Sequence, residues 1–585
     1  ITAESTFDAT VSDTITVTVS ADPAVTSVTI DQGDIGLTVD DTQTLTVSVV
    51  AAGGASTDVT WSSDDTGIAT VNADGLVTAI APGTTDITAE STFDATVSDT
   101  ITVTVTAPVA AITSFDAVVA RGSLLDLSWS ATDASSYDVL AVIDGGGTET
   151  LASGLLGTST TIAIPASDRQ TLRLVATGSG GDDSAEVTPA NVVTSSADYD
   201  PYDLLGFTPE PAIPGTLRAV IANAASGSVV GFASDVTSIV VDGVDLESVP
   251  GLAAADAHLI FRDDVTVSGP AGGVTISGGS NCPDCTTEAE NFVWRSRLML
   301  VVPDVTVLLE NLTLTGGSFI FFGGGIQNFG TLTLESVEVS GNRSLGSGGG
   351  IHNQSTGVLT INDSQIVNNR SVTLESEVDA TFFIRNEPAG DVTFPGTNGN
   401  GGAIYNVGGG IVTITDSVID GNEARVSGGG LYNEPTGQIS LDGTPVTNNV
   451  ADHNVYDAAD PSQFSYGGAF YNGGTLTLTN GDVTGNTAAS QGGGAYHDVD
   501  ATTDLTNVLV EGNLAGTSGE AGFGGGILHR FYTGEADRLT LTSVSYGTGN
   551  TPQDILLSDQ GVRPAGLRLQ PSQLPDGVNP DDRNR

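Results

Sequence analysis

The side chains able to do chemistry are few and widely spaced in this sequence. Two cysteines stand together in Cys282-Pro283-Asp284-Cys285. The pair reads as a small local disulfide loop, with a free thiol pair as the alternative. A metal site would need a second Cys pair or a nearby His to complete a tetrahedral set, and the sequence offers neither. Two histidines, His497 and His529, each follow a Gly run at the same relative position. Paired acids at Asp40-Asp41, Asp64-Asp65, Asp182-Asp183 and Asp263-Asp264 fall in expected loops without EF-hand or RTX spacing. They read as solvated loop charge, with Ca²⁺ binding as the alternative; no metal is identified and no cofactor is required.

Composition limits what these groups can serve. The 585 residues hold 71 acidic and 17 basic side chains, and every basic one is Arg. A formal charge of −54 argues against nucleic-acid and anionic-membrane partners. It suits high ionic strength and leaves bound Ca²⁺ open. With 75 Gly, only 5% aromatics and abundant Thr, Val, Asn and Asp, the chain reads as many short strands separated by tight turns. It is too long for one core, so several domains or an open-ended repeat are expected. No run of about 18 apolar residues occurs, so no membrane insertion is expected in this segment.

The elements that must position any site fall into two regions. Residues 1–19 (ITAESTFDATVSDTITVTV) recur identically as 87–105. Residues 1–22 are therefore expected to be the last two strands of a partial module, or strands that complete a module in a neighbouring subunit. Residues 23–106 alternate apolar and polar side chains in short runs, as half-buried strands of a sandwich do. The series Thr60-Trp61-Ser62-Ser63, Ile68-Ala69-Thr70-Val71, Gly75-Leu76-Val77-Thr78-Ala79, Pro82-Gly83-Thr84 and Ile87-Thr88-Ala89 closely resembles the bacterial Ig-like group 2 (BIG2) domain, with Trp61 as a core anchor. Residues 107–196, with Leu125-Asp126-Leu127-Ser128-Trp129 and Leu172-Arg173-Leu174-Val175-Ala176, resemble a fibronectin type III or related Ig-like module.

Beyond residue 205 a different repeat takes over. Gly runs begin at 323, 348, 401, 428, 467, 492 and 524, and the sixth position of each gives Asn328, Asn353, Asn406, Asn433, Asn472, His497 and His529. An alternating strand such as Leu332-Thr333-Leu334 follows, then a turn at Asn342, Asn369, Asn422, Asn449, Asn486, Asn513 and Asn550. From Gly run to turn Asn the distance stays between 19 and 26 residues, whereas from turn Asn to the next Gly run it varies from 6 to 32. A near-constant core unit with length variation at one corner is the pattern of a β-solenoid. The sixth-position column is expected to be a buried amide ladder, its two histidines being substitutions within it rather than catalytic or metal residues.

The Gly-Gly-Ala/Gly-Ile/Leu-x-Asn elements resemble the repeats of chlamydial polymorphic outer membrane proteins and of right-handed parallel β-helix repeat proteins. Gly215 to Ala224 (GTLRAVIANA) looks like the helix that caps such solenoids, near residues 215–225, with Leu217, Val220, Ile221 and Ala224 on one face. The expected fold is all-β: Ig-like sandwich modules, then a right-handed parallel β-helix over 205–560 and a cap or linker tail over 561–585. The resemblance implies a non-enzymatic extracellular or cell-surface protein, an adhesin or a fibre subunit, whose partners are other copies of itself or an extracellular polymer.

Two other functions compete. Pectate lyases and polygalacturonases share the β-helix, but a lyase needs a proton-abstracting base beside Ca²⁺-bound uronate and a hydrolase needs clustered carboxylates. With no Lys, that base would have to be Arg or His, and the Gly-His-Gly and Arg-Ile-Lys elements of the hydrolases are missing. Ice or surface binding would use an outward Thr column, here Thr333, Thr360, Thr413, Ser440, Thr477, Asp504 and Thr540, but a neighbouring column carries Glu335 and Asp442. The long insertions leaving one corner carry Phe382, Phe383, Phe394, Tyr456, Phe464, Tyr466 and Phe523. These are the candidate binding face, unless the loops fold back and bury them as satellite cores.

Overall fold

The computed structural model describes residues 1–198, 214–241, 259–278, 297–319, 322–372, 399–452, 465–516, 524–530, 538–551 and 555–558. Residues 24–106 form a sandwich. Ile35–Thr38, Ser98–Thr106, Gly83–Ser91 and Val59–Ser63 make one sheet, packed against the pair Ala24–Ile30 and Val47–Ala52 and the triplet Thr42–Thr44, Leu76–Ala79 and Ala69–Val71. Alternation sends Val28, Val77, Ile87, Ala89 and Val103 inward to a core of their own. Trp61 packs at its margin, with its indole close to where a Cβ on Gly75 would sit.

The identical segment 1–19 shows how much of that structure is local. Thr2 pairs with Thr14 as Thr88 pairs with Thr100, and Asp8 caps Thr10 as Asp94 caps Thr96. The first hairpin nevertheless keeps only Thr2–Glu4 and Ser12–Thr14 as strands, against nine residues each for Gly83–Ser91 and Ser98–Thr106. Ile1 is 78% exposed where its equivalent Ile87 is fully buried. The turn is written in the sequence, but the strand length is supplied by the partner strand and core.

The second sandwich pairs Ala111–Ala120, Leu124–Thr132 and Ser159–Ala163 in one sheet, and Thr148–Leu155, Ser136–Val142, Thr171–Thr177 and Asp183–Val187 in the other. Its core of Leu125, Leu127, Trp129, Val139 and Leu174 runs without a break into that of the following domain.

That domain is a parallel β-helix. A representative coil runs Ile326–Asn328, Thr331–Glu335, Glu338–Ser340 and Arg343–Ser344, and the next begins at Ile351–Asn353. Strands of each kind stack into four parallel sheets, called first to fourth in that order, with 10, 11, 11 and 7 strands among the described residues. The solenoid starts earlier than the sequence pattern suggests. Val192–Val193 pairs in parallel with Gly231–Phe232, and Ala197–Asp198 with Val240–Val241. Residues assigned from sequence to the end of the second sandwich thus open the first coil; two-residue strands without a Gly run carry no repeat signal. The cap helix, Leu217–Asn223, is N-capped by the Thr216 hydroxyl accepting from the Ala219 N–H at 3.2 Å, and it buries Leu217, Ala219 and Ile221.

Corners are fixed by left-handed residues stacked in columns. Between the second and third sheets Asn311, Ser336, Asp363, Asp416, Gly443, Asn480, Asn507 and Ser543 have φ between +47° and +60°. In the Gly run two glycines are needed for different reasons. Gly428 has φ +65°, while a Cβ on Gly429 would lie 2.4 Å from the Gly468 carbonyl of the next coil.

The hairpin tip Arg121–Gly122–Ser123 locks the second sandwich onto the solenoid. Gly122 N–H donates to Ser268 Oγ at 2.6 Å; Ser123 Oγ donates to the Ser268 carbonyl at 2.7 Å and accepts from Phe232 N–H at 3.1 Å. The Arg121 guanidinium bridges Glu310 and Glu335, neighbours in one outward column. Beneath it Val119 and Ile164 pack where a Cβ on Gly231 would fall. Because Ser123 is buried, the change Ser123→Ala strands one donor and one acceptor, a cost of about 1–3 kcal/mol. Small-angle scattering of Arg121→Ala/Ser123→Ala is expected to show a broadened distribution of sandwich-to-solenoid distances, with the fold of residues 24–105 unchanged.

Candidate functional site

The sixth-position side chains come together as one interior column. Asn328, Asn353, Asn406, Asn433 and Asn472 are almost wholly buried. The Nδ2 of each of the first four donates to Oδ1 of the next at 2.8–2.9 Å. A further Nδ2 contact closes a local turn, for example Asn353 to the Gly357 carbonyl at 3.1 Å and Asn433 to the Gly437 carbonyl at 3.1 Å. Donors and acceptors are matched up the stack, so an uncharged amide can stay in an aliphatic core.

The column changes chemistry at its C-terminal end. Asn472 is in register with His497, but its Nδ2 turns to the Thr503 hydroxyl at 2.8 Å, which also meets His497 Nδ1 at 2.8 Å. Thr503 stands where the coils before it have Leu332, Leu359, Val412, Ile439 and Leu476. The histidine and the inward hydroxyl are thus paired changes, and the broken Leu/Ile/Val pattern at Thr503 was the signal for it. His497 and His529 lie edge to face with ring centroids 4.4 Å apart.

A second interior ladder was read from sequence only as a row of turns. Asn342, Asn369, Asn422, Asn449, Asn486 and Asn513 are fully buried at the corner between the third and fourth sheets. The Oδ1 of each from Asn369 on accepts two bonds from the previous coil, one from the backbone N–H and one from Nδ2: Asn422 Oδ1 takes both from Asn369 at 2.9 and 3.1 Å. Asn422 Nδ2 also donates to the Ile366 carbonyl at 2.8 Å. The Asn recurring 19 to 26 residues after each Gly run was its only trace in the sequence.

A third column faces outward from the first sheet, one residue before each sixth position. The rings of His352, Tyr405, Tyr432, Tyr471 and Tyr496 follow one another with centroids 4.5–5.1 Å apart, the four tyrosines successively within 11° of parallel, and Phe322, from just before a Gly run, packs against His352 at 4.8 Å. Tyr405 Oη donates to Glu434, and Tyr471 Oη to Asp498 Oδ2 at 2.6 Å. Burial, first, and the adjacent carboxylate hold Tyr405 and Tyr471 protonated well above the usual phenol range, and Tyr432 is pushed up to about 12. His352, stacked on Tyr405, is lowered to about 3 by burial and by the Arg297 charge.

The other candidates divide. Phe382, Phe383, Phe394, Tyr456, Phe464, Phe523, Cys282 and Cys285 lie outside the described residues. Tyr466 is described, and it is not on a projecting loop: it bridges Ser427 and Gln491 in the stack, with its ring 4.6 Å from Tyr496. The flanks of the insertions, Val372 and Gly399, Asp452 and Ser465, Gly516 and Gly524, all sit between the fourth and first sheets, so the insertions share one corner. One acid of each pair caps backbone: Asp41 accepts from Thr38, Asp65 from Gly67, Asp183 from Ile112 and Asp264 from Thr306. Among the described residues no group of three or more His, Cys, Asp or Glu is placed to hold a metal ion.

Residues 24–105 match the family model of the bacterial Ig-like domain (group 2). This module is a BIG2 domain. No curated protein matches the chain. Among solved structures, the S-layer protein rSbsC(31-844) is 17% identical over 29% of this chain and 29% of its own, with a TM-score of 0.15. SbsC domains 4–9 are 21% identical over 33% and 37%, with a TM-score of 0.15. The Bacteroides ovatus mixed-linkage glucan utilization locus SGBP-B is 20% identical over 31% and 53%, with a TM-score of 0.12. The chain thus spans less than two thirds of each of these.

Two outcomes follow from the ladders. Asn422→Ala leaves the Asn369 N–H and amide without their shared acceptor and is expected to cost about 2–4 kcal/mol in chemical denaturation. Burial, first, then His529 and Arg538 lower His497 to about 3, so the folded chain holds it neutral while the unfolded chain takes up a proton below about 6.5. Stability is therefore full above pH 6.5 and falls as pH drops from there toward 3. His497→Asn should reduce that dependence in pH-resolved melting curves, leaving the share that His352 contributes in the same way.

Proposed function

We propose that this chain is a non-enzymatic extracellular or cell-surface protein, an adhesin or fibre subunit, in which the sandwiches lead to a solenoid rod. The observation that carries this reading is where the chemically competent side chains go. The amides and His497 of the sixth-position column are spent on interior stacking, and Glu434 and Asp498 accept phenolic hydrogen bonds along the outer aromatic column. What the solenoid offers outward is mostly uncharged strand surface in register and a corner of insertions, which suits broad contact rather than a reaction centre. The partners on this reading are further copies of the chain or an extracellular polymer, and the acidic surface leaves a role for Ca²⁺ in joining them. A BIG2 module beside a second sandwich is in keeping with a stalk, and among the described residues no helix is long and apolar enough to cross a membrane.

Negative-stain imaging of the purified chain with and without Ca²⁺ is the direct test. Fibres, or monomers that decorate an added extracellular polymer without degrading it, are the expected outcome. Monomers that depolymerise pectin or alginate would overturn the proposal in favour of a polysaccharide-active enzyme.

A further inference from the structure

The outward aromatic column has a feature that packing alone does not call for. The chain uses 18 Phe and 11 Tyr, yet Tyr occupies four consecutive positions of this column, where the bare ring would stack as well. The hydroxyls are not simply hydrated: Tyr405 donates to Glu434 and Tyr471 donates to Asp498. Glu434 Oε2 in turn accepts from the Gly408 N–H at 2.9 Å, which fixes the carboxylate. Parallel rings 4.5–5.1 Å apart overlap through their π faces. A phenol that loses an electron must also lose its proton, and an aligned carboxylate is a ready acceptor.

We propose that Tyr405, Tyr432, Tyr471 and Tyr496 form a relay for single-electron oxidation along the rod, with Glu434 and Asp498 as the bases that hold the phenolic protons. The co-reactant is a one-electron oxidant, such as an organic or oxygen-centred radical. The oxidant takes one electron from Tyr405 and is reduced by it. The Tyr405 O–H bond breaks and its proton passes to Glu434, leaving a neutral phenoxyl radical beside a neutral carboxyl. In the next step one electron moves from Tyr432 to the Tyr405 radical, and Glu434 returns the proton to the Tyr405 oxygen. The Tyr432 O–H bond breaks in the same step and its proton passes to a solvent base, the ring being half-exposed. The radical has then advanced one coil with charge balanced. Such a column would spread an oxidative hit over several rings and away from the backbone. The inference does not depend on whether the chain is an adhesin or a fibre subunit.

The test uses the full chain and photogenerated tris(bipyridyl)ruthenium(III). Samples frozen soon after the flash are examined by electron paramagnetic resonance, and oxidation products are mapped by peptide mass spectrometry. The expected result is a tyrosyl signal with products concentrated on the four column tyrosines, rather than on Tyr137 and Tyr546 outside it. Tyr432→Phe keeps the ring but removes the transferable proton, and should lower the signal several-fold and confine products to one side of the gap, with an unchanged melting temperature. Glu434→Gln should slow radical formation at Tyr405 and make it depend on buffer base concentration, which loss of a merely structural contact would not do. A wild-type signal in Tyr432→Phe, or products in the native chain spread evenly over Tyr137, Tyr546 and the column, would overturn the relay.

Discussion

Every residue of a parallel solenoid coil lies over its own equivalent in the next, at about the 4.8 Å spacing of neighbouring strands. Self-compatibility of side chains therefore governs what each position can hold. Aliphatics stack without penalty, amides pair donor to acceptor, aromatic rings stack face on, and like charges repel. The interior Leu, Ile and Val columns, the two Asn ladders and the outward rings are three solutions to one constraint. Where like charges do stack, as Glu310 beside Glu335, an outside cation closes the gap: Arg121, from another domain. In a chain with so few basic residues, that guanidinium both neutralises a column and fixes the second sandwich to the rod.

The same constraint explains what could be read from sequence. A position whose equivalents must resemble one another announces itself by repetition, so the Gly runs, the sixth-position amides and the outward Thr column were legible, and their registers appear in the strand pairing, Thr333 to Thr360 to Thr413 and onward. The BIG2 module was legible for another reason: its strands and turns occupy one compact run of residues. What escaped was whatever breaks the repeat or needs a neighbour. Val192–Val193 opens the first coil with no Gly run before it. The Gly-Asn turn reads as an exposed corner until the stack above and below encloses its amide. Tyr466 looked like a loop residue because it follows an insertion, yet its backbone bridges two coils. The outward ring position runs Gln327, His352 and then four tyrosines, so identity hides the column although position does not.

Residues 1–19 and 87–105 make the division between local and tertiary information plain. One sequence yields the same Asp-capped turn and the same Thr–Thr pair in both places. Only the copy that finds a sheet edge and a core extends into long strands and buries its isoleucines. A hairpin's turn can be read from its residues; its length, burial and stability cannot, because they belong to whatever lies beside it.

The end of the sixth-position ladder carries the argument one step further. An Asn column can continue indefinitely, since each amide offers the next coil what it takes from the last. An imidazole cannot: His497 meets the Thr503 hydroxyl through Nδ1, and its Nε2 has no hydrogen-bond partner. Substituting His for Asn therefore stops the propagating pattern, and Leu or Ile must give way to Thr on the facing strand to satisfy Asn472. Two consecutive histidines place that interruption near the last described strand of the third sheet, Ser545–Tyr546. The backbone stacking goes on past the imidazole pair, for Ile555–Ser558 pairs in parallel with Ile527–Arg530. In a solenoid, whose edges are templates for further pairing, the side-chain hydrogen bonding inside the core can thus change from one coil to the next while the backbone ladder is carried on.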